Sequence, residues 1–341
     1  MPISPVRRAN LKGTLTSDAP NYLYWTSSNG QIGRAPLNAS GVASCGGTCP
    51  AFITTGLNAP SEIAADSEYL YWANTGTNSI GRVRLDGVTD FNATFVQGAA
   101  VANPFGIAVD GSYIYWTNPQ SGTIGRAPIG GGTASTFVNT GSGTTPYGIA
   151  VDSGNVYWGD TANNQIGQAP LNNPASANPN FVNGPQAYTT INQPYGLVVS
   201  GGSLFWSNFG MVANPSIGSV PLAHPDQATP NLIPAGTNPY GLAGSERYLY
   251  WADAATNSIG SATLSGGSPT TLVPGGTSLV GAAVTPNQFP DLSVDQVTPN
   301  PALTQSTVSL TITGTAFDSA TTVSVGNQNC GSVQSMLRVL R

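Results

Sequence analysis

Residues able to exchange protons or hold cations are few in this 341-residue chain: 15 Asp and Glu, 10 Lys and Arg, and one His. One carboxylate stands apart by its position. Glu62, in Ser61-Glu-Ile-Ala64, occupies a place that is Gly in Gly106-Ile-Ala-Val109, Gly148-Ile-Ala-Val151, Gly196-Leu-Val-Val199 and Gly241-Leu-Ala243. An acid there serves either as a general acid, base or cation ligand, or as a solvated or backbone-bonded residue at a strand end. Immediately before the four glycines stand Phe105, Tyr147, Tyr195 and Tyr240, each preceded by Pro. Such rings either wedge between neighbouring units or line a shallow site for a glycan or peptide, where flat amphipathic rings give contact area and a hydroxyl. The single histidine, His224, has the side chain most used for proton transfer near neutral pH. It lies in Ala223-His-Pro-Asp226, a loop-like stretch that places it at a rim. No Gly-x-Ser-x-Gly nucleophile motif occurs. Cys45 and Cys49 enclose three residues and form either a small-loop disulfide or two thiols; zinc would need ligands that are not nearby.

These residues are positioned by a repeat. The six tryptophans, Trp25, Trp72, Trp116, Trp158, Trp206 and Trp251, each end an apolar-aromatic run such as Tyr113-Ile-Tyr-Trp116. An Ile-Gly step follows each: Ile32-Gly33, Ile80-Gly81, Ile124-Gly125, Ile166-Gly167, Ile217-Gly218 and Ile259-Gly260. Self-similarity at this period marks a repeat architecture. Each unit divides at its turn residues into four short strands: the Gly-Ile-Ala-Val type, the Trp run, the Ile-Gly segment, and a short apolar piece such as Thr94-Phe-Val96 or Phe181-Val182. The Trp lies 10 residues after Glu62 or the leading Gly in five repeats, so the hairpin register is constant. Four-stranded sheets repeated about an axis make an all-β, six-bladed β-propeller of antiparallel blades. Gly281-Ala-Ala-Val284 has no Trp run after it and is expected to supply the inner strand of blade 1, closing the ring; the rival is Lys12-Gly-Thr-Leu15. In this fold an acid at position 62 borders the central channel.

Composition narrows the partners. Only 7% of residues are charged, the net charge is -5, and there is a single Lys, so the clustered cations that nucleic acid requires are missing. With 40% apolar residues the chain folds rather than remaining disordered. Gly 42 and Pro 27 argue against helices. No apolar run spans a bilayer, and residues 1–20 lack a signal-peptide pattern. The expectation is a monomer with solubility resting on Asn, Thr, Ser and Gly loops, a texture suited to a secreted or surface-displayed bacterial protein.

The segment Tyr113-Ile-Tyr-Trp-Thr-Asn-Pro-Gln-Ser-Gly-Thr-Ile-Gly-Arg-Ala-Pro-Ile129 resembles the YWTD repeat of six-bladed propellers in the low-density-lipoprotein receptor group, and the resemblance covers residues 10–286. The fourth motif position departs from it, with Ser27, Asn74, Asn118, Asp160, Asn208 and Asp253 in place of a regular Asp. Pro-Tyr-Gly-Ile and Asn-x-Ile-Gly-Arg are similar to NHL-type propellers and the streptogramin lyase group. That second resemblance implies a channel His with an acidic partner. Lactonase-like propellers hold a divalent metal with an acid and amides in the channel; carried over, Glu62 would be joined by Asn58, Asn103 and Asn238 around calcium. Residues 287–334, with Pro290-Asp-Leu-Ser-Val-Asp-Gln-Val-Thr-Pro-Asn-Pro301 and Val308-Ser-Leu-Thr-Ile-Thr-Gly-Thr-Ala-Phe317, are similar to the start of an IPT/TIG immunoglobulin-like module, here partial. Residues 1–9 and 335–341 read as irregular. The leading functional expectation is a non-catalytic binding or scaffold propeller with no cofactor, taking a protein, peptide or glycan at one face of the channel through Phe105, Tyr147, Tyr195 and Tyr240. The alternative is a metal-dependent propeller hydrolase or lyase using Glu62.

Overall fold

The computed structural model describes residues 21–37, 43, 49, 51–182, 191–209, 215–234, 238–273 and 278–285, together with the strands 294–299, 310–314, 322–325 and 328–332. Residues Asn21–Pro286 form one compact unit. Its strands build six antiparallel blades. The inner strands are Leu279–Val284 for blade 1, Pro60–Ala65 for blade 2, Ile107–Val109 for blade 3, Pro146–Val151 for blade 4, Pro194–Ser200 for blade 5 and Pro239–Gly244 for blade 6. Blade 1 is closed as the Gly281 register predicts: Leu279–Val284 pairs with Asn21–Ser27, placing Trp25 opposite Ala282. The rival segment, residues 12–15, lies outside the described residues. In blade 4 the outer position holds no regular strand among the described residues. Gln168 and Asn178 exchange backbone hydrogen bonds there, and Phe181 N–H donates to Ile166 O at 2.8 Å. Outside the propeller, Val294–Pro299 pairs with Leu310–Gly314 and Thr322–Val325 with Gln328–Ser332.

The Tyr-x-Tyr-Trp run explains how the blades stack. In a strand, adjacent side chains point to opposite faces, so the Tyr and the Trp of one run serve different neighbours. Tyr24 of blade 1 packs in one cluster with Trp72 of blade 2. Tyr71 joins Trp116, Tyr115 joins Trp158, Tyr157 joins Trp206 and Phe205 joins Trp251. Tyr250 of blade 6 meets Trp25 of blade 1, completing the circle. The core is therefore six inter-blade layers rather than one centre. The Ile-Gly step has its reason in the same register. Gly81 lies opposite Trp72, and a Cβ there would stand 2.1 Å from the indole. The equivalent glycine in every blade is confined in the same way, so the indole lies flat over its cross-strand partner.

Adjacent blades are tied by two alternating devices. In blades 1, 3 and 5 a hydroxyl follows the Trp. Thr117 Oγ1 accepts from Gly106 N–H at 2.8 Å and donates to Tyr147 O of the next blade at 2.6 Å. Ser207 repeats this between Gly196 and Tyr240, and Thr26 between Gly281 and Ser61. In blades 2, 4 and 6 that place is Ala73, Gly159 or Ala252. There an Asn near the rim reaches the next blade instead: Asn78 Oδ1 accepts from Asn103 N–H at 2.6 Å, Asn164 from Gln193 at 2.7 Å and Asn257 from Ser278 at 2.9 Å. These three asparagines have φ between 51° and 54°, the left-handed region that Asn tolerates better than most residues.

Candidate functional site

Asp66, Asp110 and Asp152, which follow inner strands, are turn residues, as their spacing suggests. Asp110 Oδ1 accepts from Ser112 and Tyr113 amides at 2.7 Å each, and its Oδ2 accepts from the Tyr115 hydroxyl at 3.0 Å. Asp66 and Asp152 do the same with Tyr71 and Tyr157. Burial, followed in effect by the Asp contact, pushes the Tyr157 hydroxyl up to about 12. Arg34, Arg82 and Arg126 are likewise structural: each guanidinium lies between two rings, as Arg126 does at 4.3 Å from both Tyr113 and Phe137. The fourth motif positions anchor the loops that enter the inner strands. Asn74 Oδ1 accepts from Asn58 N–H, Asn118 from Ala102, Asp160 from Thr145 and Asn208 from Asn192. His224 is exposed in a turn after the third strand of blade 5, where its amide bonds to Pro221 O.

The axis holds two features. Where each inner strand begins, the backbones of neighbouring blades come so close that a side chain is excluded. A Cβ on Gly106 would stand 2.2 Å from Tyr147 O, on Gly148 2.1 Å from Tyr195 O, and on Gly196 2.3 Å from Tyr240 O. At the sixth position of this glycine ring stands Glu62, 7% exposed. Its amide donates to Phe105 O at 3.2 Å, and its side chain crosses blade 1 to blade 6, where Oε1 would stand 2.7 Å from a Cβ on Gly241. Oε1 is buried with no hydrogen-bond partner. Desolvation pushes the carboxyl up from 4.5 to about 8, opposed by the Ile63 amide, so near neutral pH it carries its proton.

One residue before the ring, Phe105, Tyr147, Tyr195 and Tyr240 converge over the axis. Phe105 of blade 3 and Tyr240 of blade 6, from opposite sides of the circle, have centroids 6.4 Å apart. Tyr147 stacks on Tyr195 at 4.4 Å, Tyr195 lies 4.1 Å from Tyr240, and the Tyr240 hydroxyl donates to that of Tyr195 at 2.7 Å. The rings therefore meet one another and do not intercalate singly between blades. Tyr195 is buried, while the other three are half-buried. Burial first, and then the neighbouring Tyr240 hydroxyl, raises the Tyr195 hydroxyl; Glu62 adds to the rise at both tyrosines. A fifth ring, Phe209, joins at 5.1 Å from Tyr195 and 4.7 Å from Tyr240. The signal for it in the sequence is the residue after the fourth motif position, which is aromatic only in this repeat. At the two remaining places of this level stand Val280 and Ser61, and Ser61 Oγ donates to Phe105 O at 2.8 Å.

The amides considered for a metal stand in loops that enter inner strands and have structural work there. Asn58 O accepts from Gly76 N–H at 3.1 Å and its side-chain oxygen lies against Gly76. Asn103 has φ 57° and donates its amide to Asn78, and Asn238 O accepts from Ala254 at 3.0 Å. Among the described residues no group of three or more His, Cys, Asp and Glu is placed to hold a metal ion. Cys49 is disulfide-bonded; Cys45 lies outside the described residues, and Cys330 stands in the strand Gln328–Ser332.

Low-density lipoprotein receptor repeat class B matches residues 68–110, and the IPT/TIG domain matches residues 292–336. No curated protein matches the chain. Among solved structures, the chain is similar to one described as a nidogen/laminin complex, at 21% identity over 78% of this chain and 98% of that one, with a TM-score of 0.60. A streptogramin B lyase is similar at 17% identity over 80% and 90% of the two chains, with a TM-score of 0.54. A catalytically inactive virginiamycin B lyase from Staphylococcus aureus, with quinupristin, is similar at 16% identity over 89% and 96%, with a TM-score of 0.50. At these identities the likeness is one of fold. The chain is a six-bladed β-propeller that carries a low-density lipoprotein receptor class B repeat, followed by a segment matching the IPT/TIG domain.

Proposed function

We propose that the chain is a non-catalytic binding propeller of a secreted or surface-displayed protein, with a protein, peptide or glycan docked over the axis at the end that bears the rings. The observation that carries this reading is the convergence of Phe105, Tyr147, Tyr195, Tyr240 and Phe209 on one another, four of them half-exposed. Clustered aromatic side chains with hydroxyls are the surfaces that anchor ligands at low conformational cost. A propeller of this fold in a nidogen/laminin complex is in keeping with such a use. A disulfide at Cys49 suits an oxidising compartment. A peptide and glycan array tests the reading: hits lost in both Tyr147→Ala and Tyr240→Ala support it, and hits indifferent to both overturn it.

The unpartnered Oε1 of Glu62 favours a second reading, a hydrolase or lyase in which Glu62, with Asn58, Asn103 and Asn238, holds calcium. A rise in melting temperature with millimolar calcium that disappears in Glu62→Gln would support it. A melting curve unmoved by calcium would sink it.

A further inference from the structure

The outermost strand of blade 2 carries a surface feature remote from the axis. Residues 90–95 read Asp-Phe-Asn-Ala-Thr-Phe, and Asn92-Ala-Thr94 is one of two Asn-x-Ser/Thr triplets in the chain without Pro at the middle place. The other, Asn38-Ala-Ser40, lies outside the described residues. Asn92–Val96 is the edge of its sheet, and its pairing with Ser79–Arg84 is irregular: Ile80 faces Val96 and Arg82 faces Asn92, so the residues between bulge from the ladder. Asn92 and Thr94 are both exposed. Thr94 donates twice to Asn92 Oδ1, from its amide at 3.0 Å and from its hydroxyl at 3.4 Å. This small turn occupies the side-chain oxygen and leaves Nδ2 without a hydrogen bond among the described residues. The chain just before it is held in place. Asp90, at φ 54°, accepts from Arg84 Nε and from the Tyr69 hydroxyl at 3.0 Å each, and Phe91 packs on Trp72 at 5.7 Å. Val88 and Phe91, 80% and 38% exposed, are the exposed large hydrophobic side chains of the described residues, and they stand four and one positions before Asn92.

We propose that Asn92 is a glycan acceptor, modified at Nδ2 by an oligosaccharide delivered from a polyisoprenyl diphosphate carrier. The bond between the sugar's anomeric carbon and the carrier's phosphate oxygen breaks, and the diphosphate leaves with the electron pair. The bond from that carbon to Nδ2 forms, and Nδ2 gives up one proton to a base of the transferring enzyme. The inference rests on the reading of the chain as secreted or surface-displayed, and it needs no ligand at the axis. The triplet is the acceptor pattern of secreted protein surfaces, and here the hydroxyl at its third place already reaches the acceptor amide. An exposed, bulged edge takes a bulky polar group without displacing core packing. A glycan at this place would shield Val88 and Phe91 and keep a second chain from pairing with the strand edge. Asp90, two places before the acceptor, offers a carboxylate by which a cationic site on the enzyme fixes the register.

The test is export of the full chain, under an added cleavable leader, from two hosts: bacteria supplied with an Asn-directed oligosaccharyltransferase and its lipid-linked donor, and a secreting eukaryotic line. Cleavage after Arg84 and Arg126 releases residues 85–126, which hold a single Asn-x-Ser/Thr triplet, for mass spectrometry. A mass gain of one oligosaccharide is expected on this peptide, located to Asn92 by fragmentation. It should vanish in Asn92→Gln and in Thr94→Ala, and persist at lower occupancy in Thr94→Ser. Melting temperatures of these exposed-site variants should stay near that of the parent, so that a lost glycan is not a lost fold. Asp90→Ala separates the enzymes: loss of the mark in bacteria alone makes the acid part of the signal there, and retention in both hosts assigns recognition to the triplet. A folded protein whose peptide 85–126 stays bare in both hosts, a glycan that survives Thr94→Ala, or modification confined to another Asn would overturn the proposal. Because the leader imposes export, such a result leaves the axial reading standing, which the array tests by itself.

Discussion

A buried carboxyl held far above its ordinary value makes the folding stability depend on pH, and Glu62 gives the propeller a signature that can be measured without any ligand. In the unfolded chain the group ionises near 4.5; in the folded chain it holds its proton to about 8. Between these values the native state binds one proton more than the unfolded state, so stability is fully present below pH 4.5 and is lost as pH rises through about 8. At about 1.4 kcal/mol per tenfold change in proton activity, the loss approaches about 5 kcal/mol, an upper bound because water entry and relaxation around the carboxylate reduce it. Glu62→Gln keeps the shape and removes the titration. Urea unfolding of both proteins from pH 5 to pH 9 isolates the effect, since contributions common to the two proteins cancel in the difference. The expected difference is small at the acid end and grows in favour of Glu62→Gln as pH rises, flattening above pH 8. A difference that stays constant over the whole range would refute the burial of this carboxyl.

Two other substitutions test how the blades are held together. Gly148→Ala places a methyl group 2.1 Å from Tyr195 O, where the obstacle is backbone rather than a movable side chain; a loss of roughly 3–5 kcal/mol, or failure to fold, is expected by denaturant unfolding. A wild-type transition for this variant would mean that the inner strands are not so close. Thr117→Val preserves volume but leaves Gly106 N–H and Tyr147 O without the bridging hydroxyl; it should cost about 2–4 kcal/mol in the same assay. The variant Ala73→Ser, at the matching place in blade 2, is expected to stay near the wild type.

The fold was legible because its signals repeat. A constant interval between the leading Gly and the Trp fixed the hairpin register, and the orphan match at Gly281 identified the closing strand now seen paired with Asn21–Ser27. The convergence of Phe105, Tyr147, Tyr195 and Tyr240 was partly legible, since recurrence at one repeat position put all four at one end of the axis. What the repeat concealed was anything with a period other than one blade. The hydroxyl after Trp alternates as Thr26, Ala73, Thr117, Gly159, Ser207 and Ala252, and the tie it makes becomes evident only once the next blade's carbonyl is in place. Phe209, unique to one repeat, had no counterpart to draw attention to it. The direction of Glu62 was also beyond the pattern: its three rotatable bonds carry it past one blade to Gly241, and no periodicity encodes a side-chain path across an axis.

The departure at Glu62 is a two-residue exchange. Blades 3 to 6 place an aromatic residue and then Gly at the start of the inner strand; blade 2 places Ser61 and then Glu62. Ser61 Oγ bonds to Phe105 O and supplies near the axis the hydroxyl that Ala73 lacks, so the tie to blade 3 is kept although the ring and the Gly are both gone. Structural need is met by the serine alone. It gives no reason for the acid beside it, whose Oε1 stays unpartnered at a cost in stability above neutral pH. A residue that breaks the local rule without a compensating contact is where function is expected to lie, which makes the carboxyl of Glu62, rather than the more exposed His224, the group around which a ligand at the axis is best sought.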